Sequence, residues 1–234
     1  MSRSKLAIVG LGKMGRSIDE LADAHGFEVV ARIGRERGAT PSIDRESLHG
    51  ADVAIEFTEP ASAPANIRAL VAAECPVGSG TTGWNDQLPA IARETEKAGG
   101  ALIWESNFSP GAQLLLALLT TAATSLARSP GGFAPQIIET HHAAKKDAPS
   151  GTARTLAERA EGLGVKLPIT SIRVGSVPGT HEVVLDAPYE QLRIEHLVRD
   201  RRVFASGALI AAKWLIGKRG VFRMSDVTGA GAGA

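Results

Sequence analysis

The stretch Glu139-Thr140-His141-His142-Ala143-Ala144-Lys145-Lys146-Asp147-Ala148-Pro149-Ser150-Gly151-Thr152-Ala153 concentrates two histidines, two lysines, an aspartate and a Ser-Gly-Thr helix start in fifteen residues. A histidine can donate a proton near neutral pH. A lysine can hold a carboxylate or polarise a substrate. The Ser150-Gly151-Thr152 turn can present N–H groups and a hydroxyl to a second carboxylate. These are the parts that reduction of an unsaturated dicarboxylate needs besides a hydride donor, namely a proton source and an anion cradle. Singly, each residue also fits a solvated loop that ends in an N-cap; as a cluster they point to a site.

A place for the hydride donor lies at the start of the chain. Gly10-Leu11-Gly12-Lys13-Met14-Gly15 is a G-x-G-x-x-G run between the first apolar strand and the first helix pattern. Glycines there let the backbone turn tightly and approach a pyrophosphate, and the helix N-terminus adds N–H donors and a positive dipole end. A purely structural glycine turn would look the same in a chain with 26 glycines; the position at the head of a β-α-β run favours the dinucleotide. The acidic residue that such sites place on the ribose after the second strand is missing from Ala31-Arg32-Ile33-Gly34-Arg35, and Glu36 comes one step late. Arginine suits a 2′-phosphate, so NADPH is expected in preference to NADH, or both are used. Alternatively, Arg32 and Arg35 are solvated charges.

Elements that would position these residues follow from periodicity. Strands are predicted at Lys5–Val9, Glu28–Ile33, Asp52–Phe57, Pro76–Ser79 and Ala101–Trp104. Helices are predicted between them at Lys13–His25, Ser62–Ala73 and Asp86–Ala98. Such alternation implies a parallel sheet covered on both faces. The rhythm then changes. A long apolar helix over Ala112–Ala127 precedes a strand at Gln136–Thr140 and a helix over Ser150–Gly162, N-capped by Ser150. Three strands follow without helices, at Ile172–Val177, Glu182–Asp186 and Gln191–Leu197, which suggests a mixed or antiparallel sheet. A helix over Phe204–Ile216 and a Gly/Ala tail, Gly229–Ala234, expected to be disordered, complete the chain. The fold class is α/β: a Rossmann-like doubly wound parallel sheet plus a second α+β domain.

Composition agrees with this. The formal net charge of +1 gives no global attraction to nucleic acid or membrane. Cys75 is the single cysteine, so neither an intramolecular disulfide nor a Cys/His zinc cluster is available. The longest apolar run, Gly111–Leu119, contains Gln113 and falls short of a bilayer span. A cytoplasmic, soluble protein without metal is expected.

The segment from Glu139 to Ala153 closely resembles the signature E-x-H-H-x-x-K-x-D-x-P-S-G-T-A of 4-hydroxy-tetrahydrodipicolinate reductases, formerly called dihydrodipicolinate reductases, with every fixed position filled. Other stretches agree in order: Glu56-Phe57-Thr58-Glu59-Pro60, Gly80-Thr81-Thr82-Gly83, Ser106-Asn107-Phe108-Ser109, Pro178-Gly179-Thr180-His181, His196 and Phe204-Ala205-Ser206-Gly207-Ala208. The likeness runs from Leu6 to about Val227. It implies His141 as proton donor, Lys145 as its catalytic partner, and His142, Gly151 and Thr152 as substrate-carboxylate contacts. It also implies that Gly80, Thr81, Thr82, Ser106, Asn107, Phe108 and Ser109 wall the nicotinamide site, that Phe57 and Thr58 lie near the cofactor, and that Arg201 adds charge to the substrate pocket. The implied organisation is a dinucleotide-binding domain over 1–107 and a substrate-binding and oligomerisation domain over 108–203. The segment 204–234 returns to the first domain, and the assembly is a homotetramer. Here the first glycine loop is one residue shorter than the family's, the chain is short, and Gly34-Arg35 replaces the acidic residue. These departures bear on cofactor choice more than on reaction type.

Other residues read as structural. His25 and His49 fit surface or packing positions, His181 and His196 packing or an interface, Trp84, Trp104 and Trp214 core or interface positions, and Cys75 a small buried hydrophobe. Tyr189 is followed four residues on by Arg193, against Tyr-x-x-x-Lys chemistry. A reductase of another imine or keto acid, and a cofactor-binding sensor without catalysis, are the alternatives.

Overall fold

Leu6 to Val9 is apolar without alternation, and a strand of that kind belongs inside a sheet covered on both faces. In the computed structural model, which describes residues 3–34, 42–129 and 131–229, it forms β1 (Ser4–Val9) at the centre of a six-stranded sheet. Its companions are β2 (Phe27–Ile33), β3 (Val53–Glu56), β4 (Val77–Ser79), β5 (Ala101–Trp104) and β10 (Gly220–Phe222), in the order β10-β5-β4-β3-β1-β2, all parallel. Helices α1 (Lys13–Ala22) and α6 (Arg202–Leu215) pack together with Leu6, Ile8, Ile55 and Ile103 in one core. Helices α2 (Ala63–Ala72) and α3 (Leu88–Lys97) border the core that holds Ala7, Val9, Val77 and Leu102. The two halves of the strand order meet at β1 and β3, the point where doubly wound sheets open a crevice at their carboxyl ends.

Two differences from the sequence expectation have local causes. The first helix ends at Ala22 and tightens to a 3₁₀ turn over Asp23–His25, closed by Gly26 at φ +75°. The strand β10 and the short helix α7 (Met224–Thr228) were not foreseen; Gly220 to Phe222 is too short to show a period, and it becomes a strand only because β5 offers a free edge. Arg35 and the tail residues 230–234 lie outside the described residues.

The chain divides into two units, Met1–Ser109 with Arg202–Val227, and Pro110–Arg201 with Thr228–Ala234. The second unit carries α4 (Pro110–Arg128), β6 (Ala134–His141), α5 (Gly151–Glu161), β7 (Ile169–Arg173), β8 (Thr180–Ala187) and β9 (Glu190–Leu197). Its sheet, β7-β6-β8-β9, is mixed: β7 runs parallel to β6, while β6–β8 and β8–β9 are antiparallel. β7 sits three residues earlier than the expected Ile172–Val177 start, and Gly175 at φ +52° turns the chain after it. Leu115, Leu119 and Ala123 of α4, Leu156 and Ala160 of α5, and Ile137, Val183 and Leu185 of the sheet form one core.

At 19 residues α4 is longer than the apolar run marked in the sequence, and by length and composition alone it could cross a membrane. Its Gln113 is buried, and Thr120, Thr121, Thr124 and Ser125 turn their hydroxyls back onto carbonyls four residues earlier. Those bonds satisfy polar groups on an otherwise apolar helix.

Candidate functional site

In the first unit, the glycine loop leaves β1 and enters α1. Gly10 has φ +99°, and a Cβ there would stand 2.0 Å from the carbonyl oxygen of Phe57. A Cβ on Gly15 would stand 1.9 Å from the carbonyl oxygen of Gly10. These two glycines are therefore required by the protein's own packing. Gly12 differs: it is the N-cap of α1, and nothing lies within 4 Å of its Cβ position. No side chain caps this N-terminus and its first turn has no acidic residue, so its N–H donors remain suited to an anion. Leu11, Gly12 and Lys13 are exposed and Met14 is half-buried, and Arg16 Nε donates to the Leu11 carbonyl at 3.3 Å.

The neighbouring strand ends bring the other expected cofactor residues to the same side of the sheet. The Phe57 N–H donates to Val9 and the Gly10 N–H to Ile33, which ties the ends of β1, β2 and β3. The Phe57 ring lies where a Gly80 Cβ would be, 2.1 Å from ring carbons, and 6.0 Å from the Phe108 ring. Thr81 is a hub. Its Oγ1 accepts from the Thr58 N–H at 2.8 Å, and its carbonyl accepts from the indole N–H groups of Trp84 and Trp104 at 2.7 and 3.1 Å. Beneath them lies Glu56, fully buried, which accepts from Ser79 Oγ at 2.7 Å, Thr81 Oγ1 at 2.9 Å and Thr58 Oγ1. Nothing in the spacing of the Glu56–Pro60 stretch points to this role for Glu56. Asn107 Oδ1 accepts from the Ser109 N–H at 2.9 Å, and Ser106 and Thr82 are exposed.

Glu105, after β5, accepts from Arg223 Nη2 at 3.1 Å and from the Met224 N–H at 3.4 Å, and the guanidinium of Arg223 lies 4.7 Å over Trp104. This fastens the last segment of the unit and was not visible in the sequence. Arg32, one of the two arginines weighed for a 2′-phosphate, makes a two-bonded pair with Asp19 at 2.8 and 2.7 Å.

In the second unit, β6 ends in the buried Glu139 and His141, which share a face because side chains alternate along a strand. His141 Nδ1 bonds Glu139 Oε2. The other carboxylate oxygen accepts from Arg173 Nη2 at 2.7 Å and from the Ser150 N–H at 3.3 Å. Register supplies the partners: Arg173 is opposite His141 across β6–β7, and His181 is opposite Glu139 across β6–β8. His181, read in the sequence as packing or interface, stands edge-on to His141 at 5.1 Å, with Nε2 3.0 Å from Ser150 Oγ. That Oγ also accepts from the Ala153 N–H, so Ser150 caps α5 as expected. Gly151, exposed, and Thr152, half-buried, open α5, whose first turn has no acidic residue. Lys145 Nζ pairs with Asp147 at 2.7 and 3.0 Å, and His142 is half-buried beside this loop.

Electrostatics follow the geometry. Burial alone would raise Glu139, but hydrogen bonds from Arg173, Ser171 and His141 hold it down at about 2. Burial pushes His141 below its usual range, opposed by Glu139 and aided by Lys145 and Arg173. Burial, with His141 nearby, takes His181 down to about 4, so it is neutral at neutral pH. Glu139, His141 and His181 place ligand-type atoms within 4.8 Å of one another, yet the Arg173 guanidinium on the same carboxylate opposes a cation there. A histidine held in this way can hold and move a proton.

Gly179, at φ +152°, completes it: a Cβ would lie 3.0 Å from His141 Nε2. Gly179→Ala is expected to crowd that nitrogen and lower kcat about tenfold or more, with a smaller change in KM for NAD(P)H. Steady-state kinetics check this, and an unchanged kcat would remove the claim that Nε2 must stay uncovered.

Comparison with known proteins gives a consistent family. Residues 4–108 match the family model "Dihydrodipicolinate reductase, N-terminus" and residues 111–228 match "Dihydrodipicolinate reductase, C-terminus". A 4-hydroxy-tetrahydrodipicolinate reductase of Christiangramia forsetii is 33% identical over 237 residues, covering 95% of this chain and 96% of that protein. One from Xanthomonas euvesicatoria pv. vesicatoria is 39% identical over 228 residues, covering 92% and 93%. The fold is shared with a dipicolinate-bound dihydrodipicolinate reductase from Paenisporosarcina sp. TG-14, with a TM-score of 0.80 at 22% identity over 94% of this chain and 97% of that one.

Proposed function

The chain belongs to the dihydrodipicolinate reductase family, and from that premise we propose how its residues divide the reduction of 4-hydroxy-tetrahydrodipicolinate. The protein is an oxidoreductase of lysine and diaminopimelate biosynthesis that uses a nicotinamide dinucleotide to form tetrahydrodipicolinate. When bound, the reduced nicotinamide supplies a hydride; the reaction also takes up one proton and releases water.

The first domain, 1–107, binds the dinucleotide together with Phe108 and Ser109, which belong to the same compact unit. Gly10 to Gly15 hold the pyrophosphate against the N-terminus of α1, and Phe57, Thr58, Gly80, Thr81, Thr82 and Ser106 to Ser109 surround the nicotinamide. The absence of a carboxylate at Ile33-Gly34, and Arg35 beyond it, favour NADPH over NADH. The second domain, 108–203, handles the substrate. His141 gives up the proton, Lys145 stabilises developing negative charge, and His142, Gly151 and Thr152 hold the substrate carboxylates, with the N–H groups of α5 as donors. The observation that carries this division is the buried His141, carboxylate-bound at one ring nitrogen and followed in the chain by Lys145 and by the N-terminus of α5, whose first turn has no acidic residue.

The exposed apolar residues Ile172, Leu192 and Leu197 on the second sheet favour association through that sheet, and we place the protein in the cytoplasm as a homotetramer.

With 4-hydroxy-tetrahydrodipicolinate generated in situ by its synthase, the purified protein is expected to oxidise NADPH and NADH only when substrate is present, with the higher kcat/KM for NADPH. Folded protein that binds NADPH but oxidises neither cofactor would sink the reading. A higher kcat/KM for NADH would overturn the cofactor preference alone.

A further inference from the structure

Glu139 and Arg173 are charged side chains of the proton-donor cluster to which no role has yet been given. Glu139 has no exposed surface, and a buried carboxylate persists only with its lone pairs satisfied. Here one oxygen takes His141 Nδ1, and the other takes Arg173 Nη2 at 2.7 Å and the Ser150 N–H at 3.3 Å. Arg173 also donates to the carbonyls of Asp147 and Ile172, at 2.7 and 2.8 Å, so it joins β7 to the loop that carries Lys145. A carboxylate on one ring nitrogen determines which nitrogen bears the exchangeable proton. The other nitrogen, Nε2, is the one beside Gly179.

We propose that Glu139 and Arg173 are positioning residues for His141: Glu139 accepts the Nδ1 proton and holds the ring so that Nε2 carries the transferable proton, and Arg173 fixes the carboxylate through its second oxygen. This rests on His141 being the proton donor. The groups that face His141 are Glu139 on its own strand, Arg173 from β7, neutral His181 from β8, and Lys145, paired with Asp147, from the following loop. Glu139 favours the imidazolium, whereas Arg173 and Lys145 oppose it. Removing the charge of Glu139 and removing that of Arg173 therefore shift the titration of His141 in opposite directions. Loss of structure alone has no reason to do so.

The test is kcat against pH, together with histidine NMR titration of the full chain. In the direction of reduction His141 must be protonated, so kcat falls as pH rises through its pKa. Glu139→Gln keeps an acceptor for Nδ1 but no charge. Its alkaline limb moves to lower pH, with a loss of about tenfold at pH 8 and a smaller one at pH 6. Arg173→Gln moves the limb to higher pH, and Glu139→Asp recovers most of the wild-type profile. Equal losses at every pH in both glutamine variants, or a His141 titration that does not move, would overturn the proposal. Should Glu139→Gln not fold, Arg173→Gln decides alone, and the absence of an upward shift refutes the role. A wild-type protein without substrate-dependent turnover fails the functional reading instead, and the NMR arm still tests the pair.

Discussion

Replacing His141 with glutamine is expected to lower kcat by about 10²–10⁴-fold, the usual worth of a positioned general acid, while KM for NAD(P)H changes little. His141 is 8% exposed and its ring is held by Glu139, and no other described residue occupies its place. His181 is no ready replacement, because burial takes it down to about 4 and it is therefore not an imidazolium at neutral pH. The fold should survive, since Glu139 keeps its bonds to Arg173 and Ser150. Kinetics and a thermal melt decide this: kcat within threefold of wild type, from protein of unchanged Tm, would remove His141 from the chemistry. A loss confined to KM would make it a binding residue.

Gly12→Ala is expected to weaken NAD(P)H binding more than tenfold with no change in Tm, and Gly15→Ala to lower stability by more than about 2 kcal/mol. The contrast comes from the space around each glycine. A Cβ on Gly15 meets the backbone of Gly10 at 1.9 Å, and backbone within a central strand–helix turn cannot yield cheaply. A Cβ on Gly12 meets nothing within 4 Å, and its φ of −72° suits alanine. The protein therefore gives no steric reason of its own for glycine at position 12; close approach by a bound phosphate would give one. Fluorescence titration with NADPH and thermal melts separate the two effects. Unchanged affinity in Gly12→Ala would reduce the loop to a structural turn.

Much of the scaffold was legible from pattern. Continuous apolar runs gave β1 and Ala101–Trp104 almost to the residue, because strands buried on both faces need apolar side chains at every position. Ser150 was recognisable as an N-cap because an isolated hydroxyl before a helical pattern has one strong local use. The pairing of Glu139 with His141 could have been read too: an E-x-H at a strand end places both on one face. Ending the strand at Thr140, one residue before His141, hides that pairing, whereas β6 runs through His141.

The features legible from sequence were local: the glycine turn at the head of α1, the alternation of strands and helices, and the run from His141 to Thr152 that holds the proposed proton donor, Lys145 and the helix start. These rest on interactions within a few residues, where spacing and geometry are nearly the same thing. The tertiary structure alone decided which distant groups complete them. Arg173 reaches Glu139 across 34 positions, His181 joins Ser150 across 31, and Ser79 and Thr81 converge on Glu56. Each of these contacts depends on strand register and order, which are set by the burial of whole faces rather than by any neighbouring residue.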